Sequence, residues 1–200
     1  MNNGIYGING PVVTVLGNTG LSMMEMVLVG EEKLVGEVIG INDRATTIQV
    51  YENTTGLRSG EPVYDTGGPL CALLGPGILD NIFDGIERPL KAIEEKSGDF
   101  ISRGVTVSSL DEDREWEVTV TVKAGDRLMP GEIYATCPET PIIQHRCMVP
   151  PNLSGRVSAV MTNGQYTVND CVVKLVDKDG VEHELTLCQK WPIRVERPIR

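Results

Sequence analysis

A chain of 200 residues with 40% apolar side chains has room for one or two domains with a real core, and only two Phe and two Trp leave that core to Val, Ile and Leu. A net charge of −10 argues against nucleic acid or an anionic membrane as a general partner. No apolar run approaches the roughly 18 residues a spanning helix needs, which speaks against membrane insertion. No basic region followed by an apolar core opens the chain, so nothing marks it for secretion. The five cysteines, Cys71, Cys137, Cys147, Cys171 and Cys188, are odd in number and widely spaced, and read as free thiols of a reducing, cytoplasmic compartment.

Residues 1–69 read as short strands divided by glycine. IYGINGPVVTVL places Gly7, Gly10 and Pro11 around a first strand. SMMEMVLVG and KLVGEVIGI flank Glu31 and Glu32, a pair suited to a hairpin turn. ATTIQVYE is β-branched and alternating, and EPVYDTG closes the set before Pro69. Strands this short, with glycines able to form β-bulges, predict a small closed or nearly closed barrel.

Residues 70–98 change period. Ile78, Leu79, Ile82, Phe83 and Ile86 fall at helical spacing until Pro89 interrupts. Leu90 to Lys96 predicts one more short helix, with Gly98 beyond its end. This is the one helical region of an otherwise β pattern.

The stretch from Asp99 to Val149 opens with a loop and a charge run, Asp111 to Glu117, then alternates as EWEVTVTV, the period of a half-buried strand. In VKAGDRLMPGEI, Gly125 and Gly131 suit a tight corner between strands. EIYATC, IIQHRCMV, GRVSAVMT, YTVND, VVKLVD and VEHELTL are further candidate strands, and Asp177-Lys178-Asp179-Gly180 is a hairpin signal. After Trp191 the chain runs to Arg200 without closing a new unit, which reads as an interruption.

The candidate chemistry is thin. Gly75 to Gly77 precedes a helical pattern, the layout of an anion site at a helix N-terminus. A nucleotide loop needs lysine directly after glycine, and the sequence holds no Gly-Lys pair, so a plain turn is the better reading. His145 and Cys147 lie near Cys137, and His183 near Cys188, without the paired spacing zinc requires. In Asp177-x-Asp179-Gly180 the glycine falls too early for a calcium loop, leaving the hairpin. No G-x-S-x-G elbow is present. Asp111, Glu112, Asp113 and Glu115 read as a solvated loop rather than paired catalytic carboxylates. No residue is assigned a catalytic, cofactor-binding or metal-binding role.

Six blocks resemble the catalytic A (alpha) subunit of V/A-type rotary ATPases: GEVIGI (Gly36 to Ile41), GLRSGEPV (Gly56 to Val63), GPLCALLGPGILDNIFDGIERPL (Gly68 to Leu90), GDFISRGV (Gly98 to Val105), MVPPNLSGRV (Met148 to Val157) and QKWPIR (Gln189 to Arg194). The resemblance runs in order through the chain. It implies a mainly β fold: an N-terminal β-barrel over 1–69, joining a crown of barrels in a ring alternating with B subunits. Residues 70–110 would begin, with a short helical linker, an α/β nucleotide-binding domain. Residues 111–188 would be the inserted, sandwich-like bulge domain that meets the peripheral stalk, and 189–200 the return to the truncated nucleotide-binding domain. In the family the phosphate loop, its lysine and the catalytic glutamate follow the QKWPIR block. The chain is therefore expected to be an inactive N-terminal fragment without a cofactor of its own. ATP or ADP with magnesium would belong to the parent subunit, which sits in a cytoplasmic head peripheral to the membrane and couples ATP hydrolysis or synthesis to proton or sodium transport.

VKAGDRLMPGEI also resembles the corner of biotinyl and lipoyl domains, small sandwiches that present a modified lysine on a hairpin. Here the hairpin lysine is Lys178, flanked by Asp177 and Asp179 rather than by apolar residues, so the likeness implies a shared sandwich corner and no cofactor. A free-standing β-rich binding adaptor is the other reading, and it requires Arg200 to be the true end of the chain.

Overall fold

Apolar–polar alternation builds the first part of the chain. The computed structural model describes residues 3–98, 103–105 and 107–196; residues 1–2, 99–102, 106 and 197–200 lie outside it, and with them part of the Gly98–Val105 block and the end of the 189–200 return. Two compact units divide the chain, Met1–Cys71 with Ile93–Thr106, and Ala72–Ala92 with Val107–Arg200.

In the first unit, strands β1 (Asn3–Asn9), β2 (Val12–Leu16), β3 (Glu25–Val29), β4 (Leu34–Ile41), β5 (Ala45–Val50) and β6 (Pro62–Pro69) close a barrel in the order β1-β2-β5-β4-β3-β6. Closure leaves no open edge. The expected first strand is thus a hairpin, β1 and β2, turned at Gly10 and Pro11. Alternate residues point inward, so Val13, Val15, Val27, Val29, Leu34, Val38, Ile48 and Val50 form one buried cluster. The register slips between Ile5 and Gly7 and between Val38 and Gly40, the bulges that the glycine-rich pattern predicts. Two carboxylates on the barrel strands are buried and both are hydrogen-bonded. Glu25 accepts N–H groups from Ser22 at 2.8 Å and Gly67 at 3.2 Å, and Glu37 accepts the Tyr51 hydroxyl at 2.5 Å.

The linking region departs from its predicted helix. Cys71–Leu74 is a strand, β7, and Ile78–Asp80 makes a single 3-10 turn; only Leu90–Ser97 is α-helical, α1. Gly98 ends α1 in the left-handed region, its N–H donating to the Glu94 carbonyl at 2.8 Å. Residues 81–89 do not continue a helix because Asp84 captures their backbone. Its Oδ1 accepts the N–H groups of Ile86 at 3.1 Å and Arg88 at 2.9 Å, while Oδ2 holds Arg88 Nε at 2.8 Å. Burial by itself raises the Asp84 pKa, but these hydrogen bonds outweigh it and hold the carboxyl below its usual range.

The second unit is built around β8 (Trp116–Val120), β9 (Arg127–Leu128), β10 (Ile133–Pro138), β11 (Gln144–Met148), β12 (Gly155–Val160), β13 (Gly164–Tyr166), β14 (Val173–Val176) and β15 (Glu182–Leu185). They form two four-stranded antiparallel sheets, β11-β10-β8-β13 and β15-β14-β12-β9. Trp116, Val118, Tyr134, Ala135, Cys137 and Cys147 of the first sheet share one core with Leu128, Val157, Val173, Leu175 and Leu185 of the second. A last strand, β16 (Gln189–Pro192), pairs with β7 in a two-stranded sheet. Gly155 is required where β12 meets β14, since a Cβ there would lie 2.2 Å from the Val176 carbonyl oxygen. The DKDG segment is the tight turn of the β14–β15 hairpin, with Gly180 at φ 80°.

Candidate functional site

The Gly75-Pro76-Gly77 turn comes closest to the anion site that its sequence suggests. Gly77 sits at φ 98°, a conformation glycine adopts without cost, and opens the 3-10 turn. A side chain at Gly75 would strike Leu110 Cδ1 at 2.7 Å and Cys188 Cβ at 2.9 Å, so the turn is packed tightly into the sandwich. The anion it receives is supplied by the protein. Glu139, buried just after β10, directs Oε1 to the N–H of Gly77 at 2.9 Å and of Leu79 at 3.3 Å. Its Oε2 lies 3.4 Å from His145 Nδ1. A phosphate at this turn would have to displace an internal carboxylate, so the residues do not fit a nucleotide phosphate here. Among the described residues no group of three or more His, Cys, Asp or Glu side chains is arranged to hold a metal ion.

The histidines and cysteines singled out by sequence go separate ways. His145 faces Glu139, and His183 Nε2 lies 2.8 Å from Asp177 Oδ2. That contact, aided by the N–H groups of Val181 and Asp179, holds the Asp177 carboxyl below its ordinary pKa. Cys137 and Cys147 are buried, and all five cysteines are free. Burial raises the Cys137 thiol to about 11, with Glu139 adding to it, and the Cys147 thiol to about 12, with Cys137 and Cys188 adding to it. Thiols held protonated in this way are packing groups rather than nucleophiles.

The charge run is exposed from Asp111 to Glu115. Asp111 Oδ1 accepts the N–H groups of Asp113 and Arg114, each at 3.1 Å, which curls the loop. Glu112 accepts the Ser108 hydroxyl at 2.7 Å, and the Arg114 guanidinium lies 3.9 Å from the Trp116 ring centroid. The Trp116 Nε1 is buried without a hydrogen-bond partner. Lys178 stands exposed in the β14–β15 turn. A cavity of about 530 Å³ lies along β16, lined by Tyr134, Pro150, Thr186, Cys188, Trp191 and Val195 among others. Trp191 Nε1 donates to the Val195 carbonyl at 2.7 Å and closes the turn after β16. Burial raises the Cys188 thiol as well, so this cavity presents a protonated thiol. No helix among the described residues is long and apolar enough to cross a membrane.

Sequence reasoning did not find Glu139. Its only local signal is an acidic residue between Pro138 and Pro141, and its target lies 62 positions away.

Comparison with known proteins agrees with this architecture. Residues 5–67 match the beta-barrel domain of the ATP synthase alpha/beta family, and residues 107–194 match the ATPsynthase alpha/beta subunit barrel-sandwich domain. The V-type ATP synthase alpha chain of Halothermothrix orenii is 54% identical over 97% of this chain and 33% of its own length. The V-type ATP synthase alpha chain 2 of Clostridium tetani is 48% identical over 98% of this chain and 33% of its own. The chain thus spans about a third of the length of the curated relatives it matches. With both domains matched in order and close identity throughout, the chain belongs to the ATP synthase alpha/beta family.

Proposed function

We propose that these residues form the N-terminal part of the catalytic A subunit of a V/A-type ATP synthase, an enzyme coupling ATP hydrolysis or synthesis to proton or sodium transport by rotation. The observation that carries this reading is the succession of barrel and barrel-sandwich domains within a chain 54% identical to a V-type ATP synthase alpha chain. On this reading residues 1–69 are a crown barrel that joins B subunits in an alternating ring. Residues 70–110 begin the nucleotide-binding domain, to which 189–200 return; the pairing of β7 with β16 supports that assignment. Residues 111–188 are the bulge that reaches the peripheral stalk. ATP, ADP and magnesium are handled by residues outside these 200, and the 200 residues alone neither bind ATP tightly nor hydrolyse it. The assembly works in the cytoplasm, peripheral to the membrane.

The exposed run Asp111, Glu112, Asp113 suits basic stalk helices, through steering more than affinity. Reversing all three to Lys is expected to slow association with the stalk subunits about ten-fold at low salt and to flatten its salt dependence. Asp113→Lys alone, which leaves the Asp111 turn and the Glu112–Ser108 bond intact, should move both quantities in the same direction. Unchanged rate and unchanged salt slope would remove the stalk contact from this loop.

A further inference from the structure

The structure assigns a phosphate-group binding site to the cleft between the Gly125–Arg127 corner and the β14–β15 hairpin, an assignment that does not rest on the ring-subunit reading. Arg127 of β9 and Arg156 of β12 are direct cross-strand partners. Side chains in such a pair stand about 5 Å apart at Cβ, and like charges placed there repel. Arg156 is also the register partner of Val176, the last residue of β14, and Lys178 lies two residues on, in the turn that follows. All three line one open cleft of about 360 Å³.

A chain of net charge −10 has carboxylates to spare, yet none forms an ion pair with these cations among the described residues. Among the described residues neither arginine nor Lys178 has a carboxylate partner. Arg156 Nε donates to the Gly125 carbonyl at 3.0 Å, which fixes the guanidinium and leaves its terminal nitrogens for a ligand. Asp177, the one acid among the described residues lining the cleft, is already engaged: Oδ2 by His183 at 2.8 Å, Oδ1 by the N–H groups of Asp179 at 2.9 Å and Val181 at 3.0 Å. The strand pairing therefore sets two exposed guanidinium groups side by side, and no direct ion pair among the described residues relieves their repulsion. A tetrahedral dianion relieves it, since two planar forks can each take a pair of its oxygens and the ammonium can take a third direction. Arg88, Arg103 and Lys174, by contrast, are each paired with carboxylates.

The test titrates the 200-residue chain with inorganic phosphate, and separately with ATP, against chloride at matched ionic strength, following backbone amide shifts and thermal unfolding. Saturable shifts are expected at Gly125, Arg127, Gly155, Arg156 and Lys178. Phosphate at ten times its Kd should raise the folded-to-unfolded ratio about eleven-fold. Arg127→Gln and Lys178→Gln should each cut that gain below about two-fold. Arg127→Gln should also melt no lower than the native chain without phosphate, since it removes the like-charge pair. ATP shifting the same amides at lower concentration than phosphate identifies the ligand as a nucleotide phosphate tail; equal concentrations identify free oxyanion. Absence of saturable shifts at these amides with either ligand, or an unaltered titration in Arg127→Gln, overturns the assignment.

Discussion

Glu139 shows how one carboxylate settles the chemistry of a turn. The Gly75–Gly77 segment carries N–H groups of the kind that hold phosphate elsewhere, and in this chain they are closed from inside. Burying a carboxylate is unfavourable unless its oxygens are occupied, and here two backbone donors and the His145 ring occupy them. Removing the side chain would strand the N–H groups of Gly77 and Leu79. Glu139→Ala is therefore expected to lower stability by about 2–3 kcal/mol, the penalty of unsatisfied buried donors. Glu139→Gln, which keeps an oxygen acceptor, should recover more than half of that loss. Chemical denaturation of the three proteins measures both differences, and equal stability of the Ala and Gln variants would show that the turn does not depend on this cap.

The β10–β11 hairpin carries two thiols into the core, and their protonation links its packing to pH. Cys147 lies opposite Ala135, and Cys137 opposite His145. Burial raises Cys147 from 9.0 to about 12, so the folded thiol keeps its proton where the unfolded one has lost it. The folded state then holds more protons above pH 9, and stability falls as pH rises from 9 towards 12. Below pH 9 the thiol is protonated in both states and contributes no slope. Cys147→Val removes this dependence. Its stability relative to the native chain should improve by about 1.4 kcal/mol per pH unit above 9 and stay constant below it. A difference that does not vary with pH would contradict the burial argument. At this scale much of the molecule was legible in sequence, because strands with one face in the core write their alternation into the chain, as WEVTV and VVTVL do. The run from Ile78 to Ile86 misled for a reason that spacing cannot reveal. Its apolar residues sit at helical intervals, but Asp84 binds the backbone N–H groups of Ile86 and Arg88. Strand β7 was hidden differently, since its partner β16 lies more than a hundred residues away and pairing leaves no local trace. Separation along the chain likewise concealed Glu139 and the opposed arginines Arg127 and Arg156.

At the scale of the whole molecule, most of the buried apolar side chains among the described residues fall into two clusters with no residue in common. One lies within the barrel and includes Val13, Val27, Leu34, Val38 and Ile48; the other lies within the sandwich and includes Trp116, Tyr134, Val157, Val173 and Leu175. Cooperative unfolding follows shared burial, so two separate clusters need not melt together. Ile48 and Leu175 are both 0% exposed, and truncating either removes a comparable amount of core. Ile48→Ala and Leu175→Ala should each cost about 3 kcal/mol and lower the midpoint of the affected unit on the order of 15 °C. Calorimetry is expected to resolve two transitions, with Ile48→Ala moving one and Leu175→Ala the other. A single transition that both variants shift equally would mean that the two cores unfold as one. The division would then be geometric only, and a load applied to one unit would be resisted by both.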